Sequence, residues 1–145
     1  MTEDWDGDSN APHERRRFCI RAEIDVAEAR SEALRMAERH GFGRSAVYSF
    51  ATAVSELANN LVFHAANGGT INLLIQPSVA GLYLECIATD NGPGIADVAL
   101  AMVDGFTTTG SLGCGLSGTR RLVDQFDIAS TPGVGTRVRC GIQLR

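Results

Sequence analysis

Thr89-Asp90-Asn91-Gly92-Pro93-Gly94 follows directly on the apolar run Leu82-Tyr83-Leu84-Glu85-Cys86-Ile87-Ala88. In that run Leu82, Leu84, Cys86 and Ala88 alternate onto one face, the mark of a strand with one side buried. The strand closes on an acid and then turns through two glycines and a proline. Glycine allows backbone approaches that a side chain forbids, so the loop is made to sit against something. Taken alone, Asp90 fits an Asx-turn that caps the loop. A carboxylate at a strand end can also accept from an exocyclic amine, as on adenine, but by itself the loop favours the Asx-turn.

Upstream of this stretch, residues 44–66 form the longest periodic segment. Val47, Phe50, Ala51, Val54, Leu57, Ala58, Leu61 and Ala65 make an apolar stripe at helical spacing. Beside it runs a polar row, Thr52, Glu56, Asn60 and His64, one turn apart and able to address one site. Asn67-Gly68-Gly69 turns the chain into a strand over 70–76, joined through Pro77-Ser78 and Gly81 to the strand over 80–89. Nearer the N-terminus, residues 17–25 alternate, with Phe18, Ile20, Ala22 and Ile24 inward, which predicts a half-buried strand. Asp25 and Glu28 have capping-box spacing, and Val26, Ala29, Ala33, Met36 and Ala37 follow as a helix ending at His40-Gly41. Residues 1–16 are polar and acidic and read as a disordered tail, with Arg15-Arg16-Arg17 as the solvated edge of the first strand rather than a small docking patch.

Downstream, a short helical turn is expected at Ala96–Met102. Residues 104–118 carry Gly110, Gly113, Gly115 and Gly118 and read as a mobile lid that leads into a helix running to about Gln125. Backbone N–H groups at the positive end of that helix would suit an anion. The last strands are Asp127–Thr131 and Val134–Leu144. In the second, Thr136 is the one inward-facing residue with a side-chain donor, so it needs a partner. Five mostly antiparallel strands with helices on one face predict an α+β two-layer sandwich, with a single domain over 17–145.

With 145 residues, 44% of them hydrophobic, the chain can bury a real core. No apolar run reaches the roughly 20 residues of a membrane span and no signal-peptide pattern is present, so a cytoplasmic protein is expected. All 13 basic residues are arginine, and any phosphate contact must come from arginine, backbone N–H groups or a metal. Five of the 17 acids lie in residues 1–14, so the remainder, with 13 basic and 12 acidic residues, is close to neutral. Nothing in this balance points to nucleic acid or an anionic membrane. Cys19, Cys86 and Cys140 read as small buried hydrophobes in strands, while Cys114 is either a reactive thiol or a small residue in a tight loop.

Glu56 and Asn60 have two readings. An amide oxygen suits Mg²⁺, and a carboxylate one turn away can take a proton from a hydroxyl. Most such pairs, however, are simply a polar helix face. His64 either touches a phosphate or the substrate, or caps the helix end, and Arg120 and Arg121 meet phosphate, a partner or solvent.

In this order, the elements resemble the GHKL (Bergerat-fold) ATP-binding superfamily over residues 17–145. Glu56 and Asn60 match its N box, Asp90, Gly92 and Gly94 its D-x-G-x-G loop, and Gly110, Gly113 and Gly115 its G-x-x-G-x-G lid. Gly135-Thr136 matches the final Gly-Thr. The resemblance implies ATP and Mg²⁺ as cofactors. Asn60 would hold the metal, Asp90 would read the adenine amine with Thr136 in support, and the lid would wrap the phosphates. The segment from Asp104 to Leu122 is most similar to that of stressosome switch kinases (RsbT-type). That implies a protein serine/threonine kinase with Glu56 as general base, STAS-domain proteins as substrates, and a PP2C-type phosphatase as the partner bound on release. The alternative within the superfamily is an anti-sigma factor that sequesters a sigma factor.

Overall fold

A computed structural model describes residues 12–64, 68–90, 115–131 and 134–145. Five strands, β1 (Glu14–Ile20), β2 (Gly69–Ser78), β3 (Gly81–Asp90), β4 (Gln125–Thr131) and β5 (Gly135–Gln143), form one antiparallel sheet in the order β1-β2-β3-β5-β4. Helices α1 (Glu23–Arg39), α2 (Arg44–His64) and α3 (Gly115–Leu122) complete the described chain. This is the expected two-layer α+β arrangement. Phe50, Val54 and Leu57 of α2 and Ala33 and Met36 of α1 meet Ile71, Leu73 and Ile75 of β2 and Leu84 and Cys86 of β3 in one buried cluster. At about 25 cal/mol per Å² of apolar area, each Phe, Val, Leu, Ile and Met among them contributes roughly 1.5–3 kcal/mol of transfer free energy.

The N-terminal boundary differs from the expectation. β1 begins at Glu14, not Arg17, and ends at Ile20, not Asp25. At its start, His13 N–H donates to the Ile75 carbonyl at 2.7 Å, and Glu14 binds the end of α1 through Arg39 and His40. At its end, the Asp25 carboxylate accepts from the backbone N–H groups of Arg21 (2.9 Å) and Ala22 (3.0 Å) and turns the chain into α1. Asp25 therefore acts from inside the first turn and Ala22 takes the cap position. Ile24, expected to face inward, is a helix residue left 65% exposed.

Two further expectations need correction. Cys19 is exposed on the edge strand, whereas Cys86 and Cys140 are buried, directly opposite each other across β3 and β5. The helix after the glycine-rich run stops at Leu122, and Gln125 already belongs to β4. The outer sheet face carries exposed Arg15, Arg17 and Arg137, as expected, but it also holds buried Leu74 and Ile87. Gln76 and Arg139 converge there on the buried Glu85 carboxylate, at 2.8 and 3.2 Å. The expected helical turn at Ala96–Met102 lies outside the described residues, as does Cys114. No described helix is long and apolar enough to cross a membrane.

Candidate functional site

The site begins as a row across one end of the sheet. Ile20 stands opposite Gly69, Gly69 opposite Asp90, Asp90 opposite Thr136, and Thr136 opposite Ser130. Alternation decides which way they face. Asp90 is in phase with the buried Leu84, Cys86 and Ala88, and Thr136 is in phase with Val138, Cys140 and Ile142. Both side chains therefore rise from the helix side of the sheet. Directly opposed residues lie about 4.5–5.5 Å apart at Cα, so one small flat ligand edge can reach both.

Thr136 has the partner that an inward hydroxyl requires. Its Oγ1 lies 2.9 Å from Ser130 Oγ. This contact orients the threonine, and either hydroxyl can donate in it. Ser130 did not emerge from the motifs, but a signal was available. It follows Phe126 and Ile128 at two-residue spacing, and a hydroxyl at the third inward position of a strand is out of pattern. Gly135 has φ of +148°, a region that residues with a Cβ rarely enter, so the glycine just before Thr136 is required by the backbone.

α2 supplies the wall above this row. Glu56 and Asn60 lie on it one turn apart and both are half-buried, not fully solvated. Gly69 lies beside Leu61 near the end of α2, where the packing leaves no room for a side chain. A Cβ there would collide with the Thr89 carbonyl oxygen and with Cδ2 of Leu61, one residue past Asn60. Thr52 is half-buried in the same row, and the side chain of His64 lies outside the described residues.

Of the glycine-rich run, Gly115 is described, and it is the first residue of α3. This is the helix end whose first backbone N–H groups have no partner within the helix. α3 buries Ser117 and Thr119. Arg120 and Arg121 are exposed in its last turn, at the opposite end from Gly115. Gly92, Gly94, Gly110 and Gly113 lie outside the described residues. The structure therefore brings Asp90, Thr136 and Ser130 into one row beneath the helix that carries Glu56 and Asn60.

Similarity to known proteins gives the family and the fold. Residues 45–145 match the family model described as histidine kinase-, DNA gyrase B- and HSP90-like ATPase. The chain is 40% identical over 130 residues to the serine/threonine-protein kinase RsbT of Bacillus subtilis, covering 88% of this chain and 96% of that one. It is 29% identical over 123 residues to the anti-sigma F factor of a Thermoanaerobacter species, covering 73% and 86%. Among solved structures it is similar to the RsbU and RsbW domains of a Mycobacterium tuberculosis protein, with TM-score 0.64 and 18% identity over 92% of this chain and 33% of that one. It is also similar to the mycobacterial sensor histidine kinase MprB, with TM-score 0.56 and 18% identity over 92% and 98%. Those two likenesses establish the fold. With the family model spanning more than half of its length, the chain belongs to the histidine kinase-, DNA gyrase B- and HSP90-like ATPases.

Proposed function

We propose that this chain is a protein serine/threonine kinase of a partner-switching pathway. It transfers the γ-phosphoryl group of ATP to a hydroxyl on a STAS-domain protein and, once released, binds a PP2C-type phosphatase. The observation that supports this most is the placement of Asp90 directly opposite Thr136, on the sheet face beneath the helix bearing Glu56 and Asn60. The Bacillus relative, which carries the name of a serine/threonine kinase, is similar over nearly its whole length.

In this reading Asp90 accepts from the adenine amine, and Thr136, oriented by Ser130, supports the ring. Gly92 and Gly94 let the loop approach the base, and Gly110, Gly113 and Gly115 present backbone N–H groups to the phosphates. The donor set fits Mg²⁺, because a half-buried amide oxygen is a hard ligand and this ion takes few protein ligands beside phosphate and water. Asn60 is that ligand, and the ion neutralises charge on the phosphates when bound. Glu56 sits one turn from Asn60 and takes the proton of the acceptor hydroxyl as its oxygen bonds to the γ-phosphorus and the bond to the ADP oxygen breaks.

Glu56→Gln keeps the shape and removes the base. Transfer to a STAS-domain protein should fall about 10²- to 10⁴-fold, with ATP affinity unchanged by titration calorimetry. Transfer at the wild-type rate would remove Glu56 from this role. The anti-sigma F relatives favour a second reading, sequestration of a sigma factor. A stable ATP-dependent complex with a sigma factor, together with no binding to STAS-domain proteins, would establish it.

A further inference from the structure

α2 has a composition unlike that of α1. From Ser45 to Phe63, Glu56 is the only Asp, Glu, Lys or Arg, whereas α1 carries an acid or an arginine in every turn. Yet α2 is not buried all round. Tyr48 is 47% exposed and Phe63 is 55% exposed. At about 100° per residue, Thr52, Asn60 and Phe63 fall within roughly 40° of Glu56 around the helix, and Tyr48 within roughly 80°. The buried stripe through Val47, Val54 and Leu61 lies on the opposite side.

The helix thus presents a strip roughly 22 Å long at 1.5 Å per residue, with an exposed aromatic ring near each end and Glu56 between them. Depletion of charge together with exposed aromatic rings is the signature of a protein-contact surface, where such rings supply most of the binding energy. A solvated helix face has no use for it.

We infer that the strip from Tyr48 to Phe63 is where the acceptor protein is read, with the two rings as anchors that deliver its hydroxyl to Glu56. This rests on the reading of Glu56 as the base. The occupant is a small folded protein offering a serine or threonine hydroxyl flanked by apolar, weakly charged surface. A second copy of this chain is a poorer fit, because it would cover Glu56 and shut out the hydroxyl.

The test uses the full chain and a purified STAS-domain protein whose acceptor serine is replaced by alanine, so that the complex is not turned over. Tyr48→Ala and Phe63→Ala should each weaken binding by about tenfold, as a truncated anchor does. With an unaltered acceptor, each should raise the KM for that protein about tenfold while leaving kcat and ATP affinity unchanged. Tyr48→Phe and Phe63→Tyr should keep most of the binding. Wild-type affinity in both alanine variants overturns the inference. So does a wild-type chain that does not bind the STAS-domain protein, or alanine variants that only dissociate a dimer in sedimentation. A Glu56→Gln chain that still transfers phosphate, beside ring variants that have lost the acceptor, would remove the base and leave the surface standing.

Discussion

Thr136 illustrates how one hydroxyl acquires a role. Its identity as an inward donor on an otherwise apolar strand face is readable from alternation alone. Its use depends on two neighbours, Asp90 across one ladder and Ser130 across the other. Thr136→Val keeps the shape and removes the donor. It should weaken ATP binding by about 1 kcal/mol, or roughly five- to tenfold, the usual net contribution of one hydrogen bond. Titration calorimetry measures this. An unchanged affinity would take Thr136 out of the nucleotide site. Ser130→Ala should have a smaller effect in the same direction, because it acts through Thr136 and the Gly135 carbonyl that its hydroxyl also reaches.

β1 and α1 are tied together by charge as well as by packing. Glu14 at the start of β1 meets Arg39 at 2.6 Å and His40 at 2.8 Å at the end of α1, and Arg39 also binds the buried Glu32 at 3.1 Å. Burial by itself would raise the Glu14 carboxyl, but the hydrogen bonds from His40 and Arg39 outweigh this and hold it below the usual range. A carboxylate depressed in the folded state stabilises fully above its unfolded value, near 4.3, and the stabilisation is lost as pH falls through the lowered folded value. Glu14→Gln should therefore cost about 1 kcal/mol at neutral pH. The gap in thermal midpoint between variant and wild type should shrink as pH falls below about 4. Asp124, lowered by its hydrogen bonds from Arg145 and then from the Gln143 backbone despite partial burial, titrates in the same direction and steepens acid unfolding of the wild type.

For the fold as a unit, binding of ATP to the native state alone stabilises by mass action. At about a hundred times the dissociation constant this amounts to roughly 2.7 kcal/mol, and for a chain of this size it raises the melting temperature by roughly 5–10 °C. Asp90→Asn, which exchanges an acceptor for an amide that can present a donor to the adenine amine, should abolish most of that rise without shifting the melting temperature of the free protein by more than about 1–2 °C. A full ATP-induced rise in Asp90→Asn would sink the adenine assignment. The same experiment with GTP should give a smaller shift in the wild type.

Much of this molecule is legible in its sequence. Periodicity located α2 and its buried stripe, the inner faces of β2, β3 and β5, and the end of α1 at His40, because each depends on contacts local in sequence or repeated at a fixed period. Glu56, Asn60, Asp90 and Thr136 were nominated by residue type and order, not by proximity. Alternation overruns the first strand because Ala22 and Ile24 continue its pattern, while the Asp25 carboxylate, acting across one turn, ends it at Ile20. Three features depended on the folded chain. Register puts Asp90 opposite Thr136 and Thr136 beside Ser130, close packing against the Thr89 carbonyl and Leu61 leaves no room for a Cβ at Gly69, and exposure separates Tyr48 and Phe63 from the core aromatics. Each is a relation between residues distant along the chain, and a one-dimensional pattern carries no term for the distance between strands or for the face a neighbouring helix leaves open.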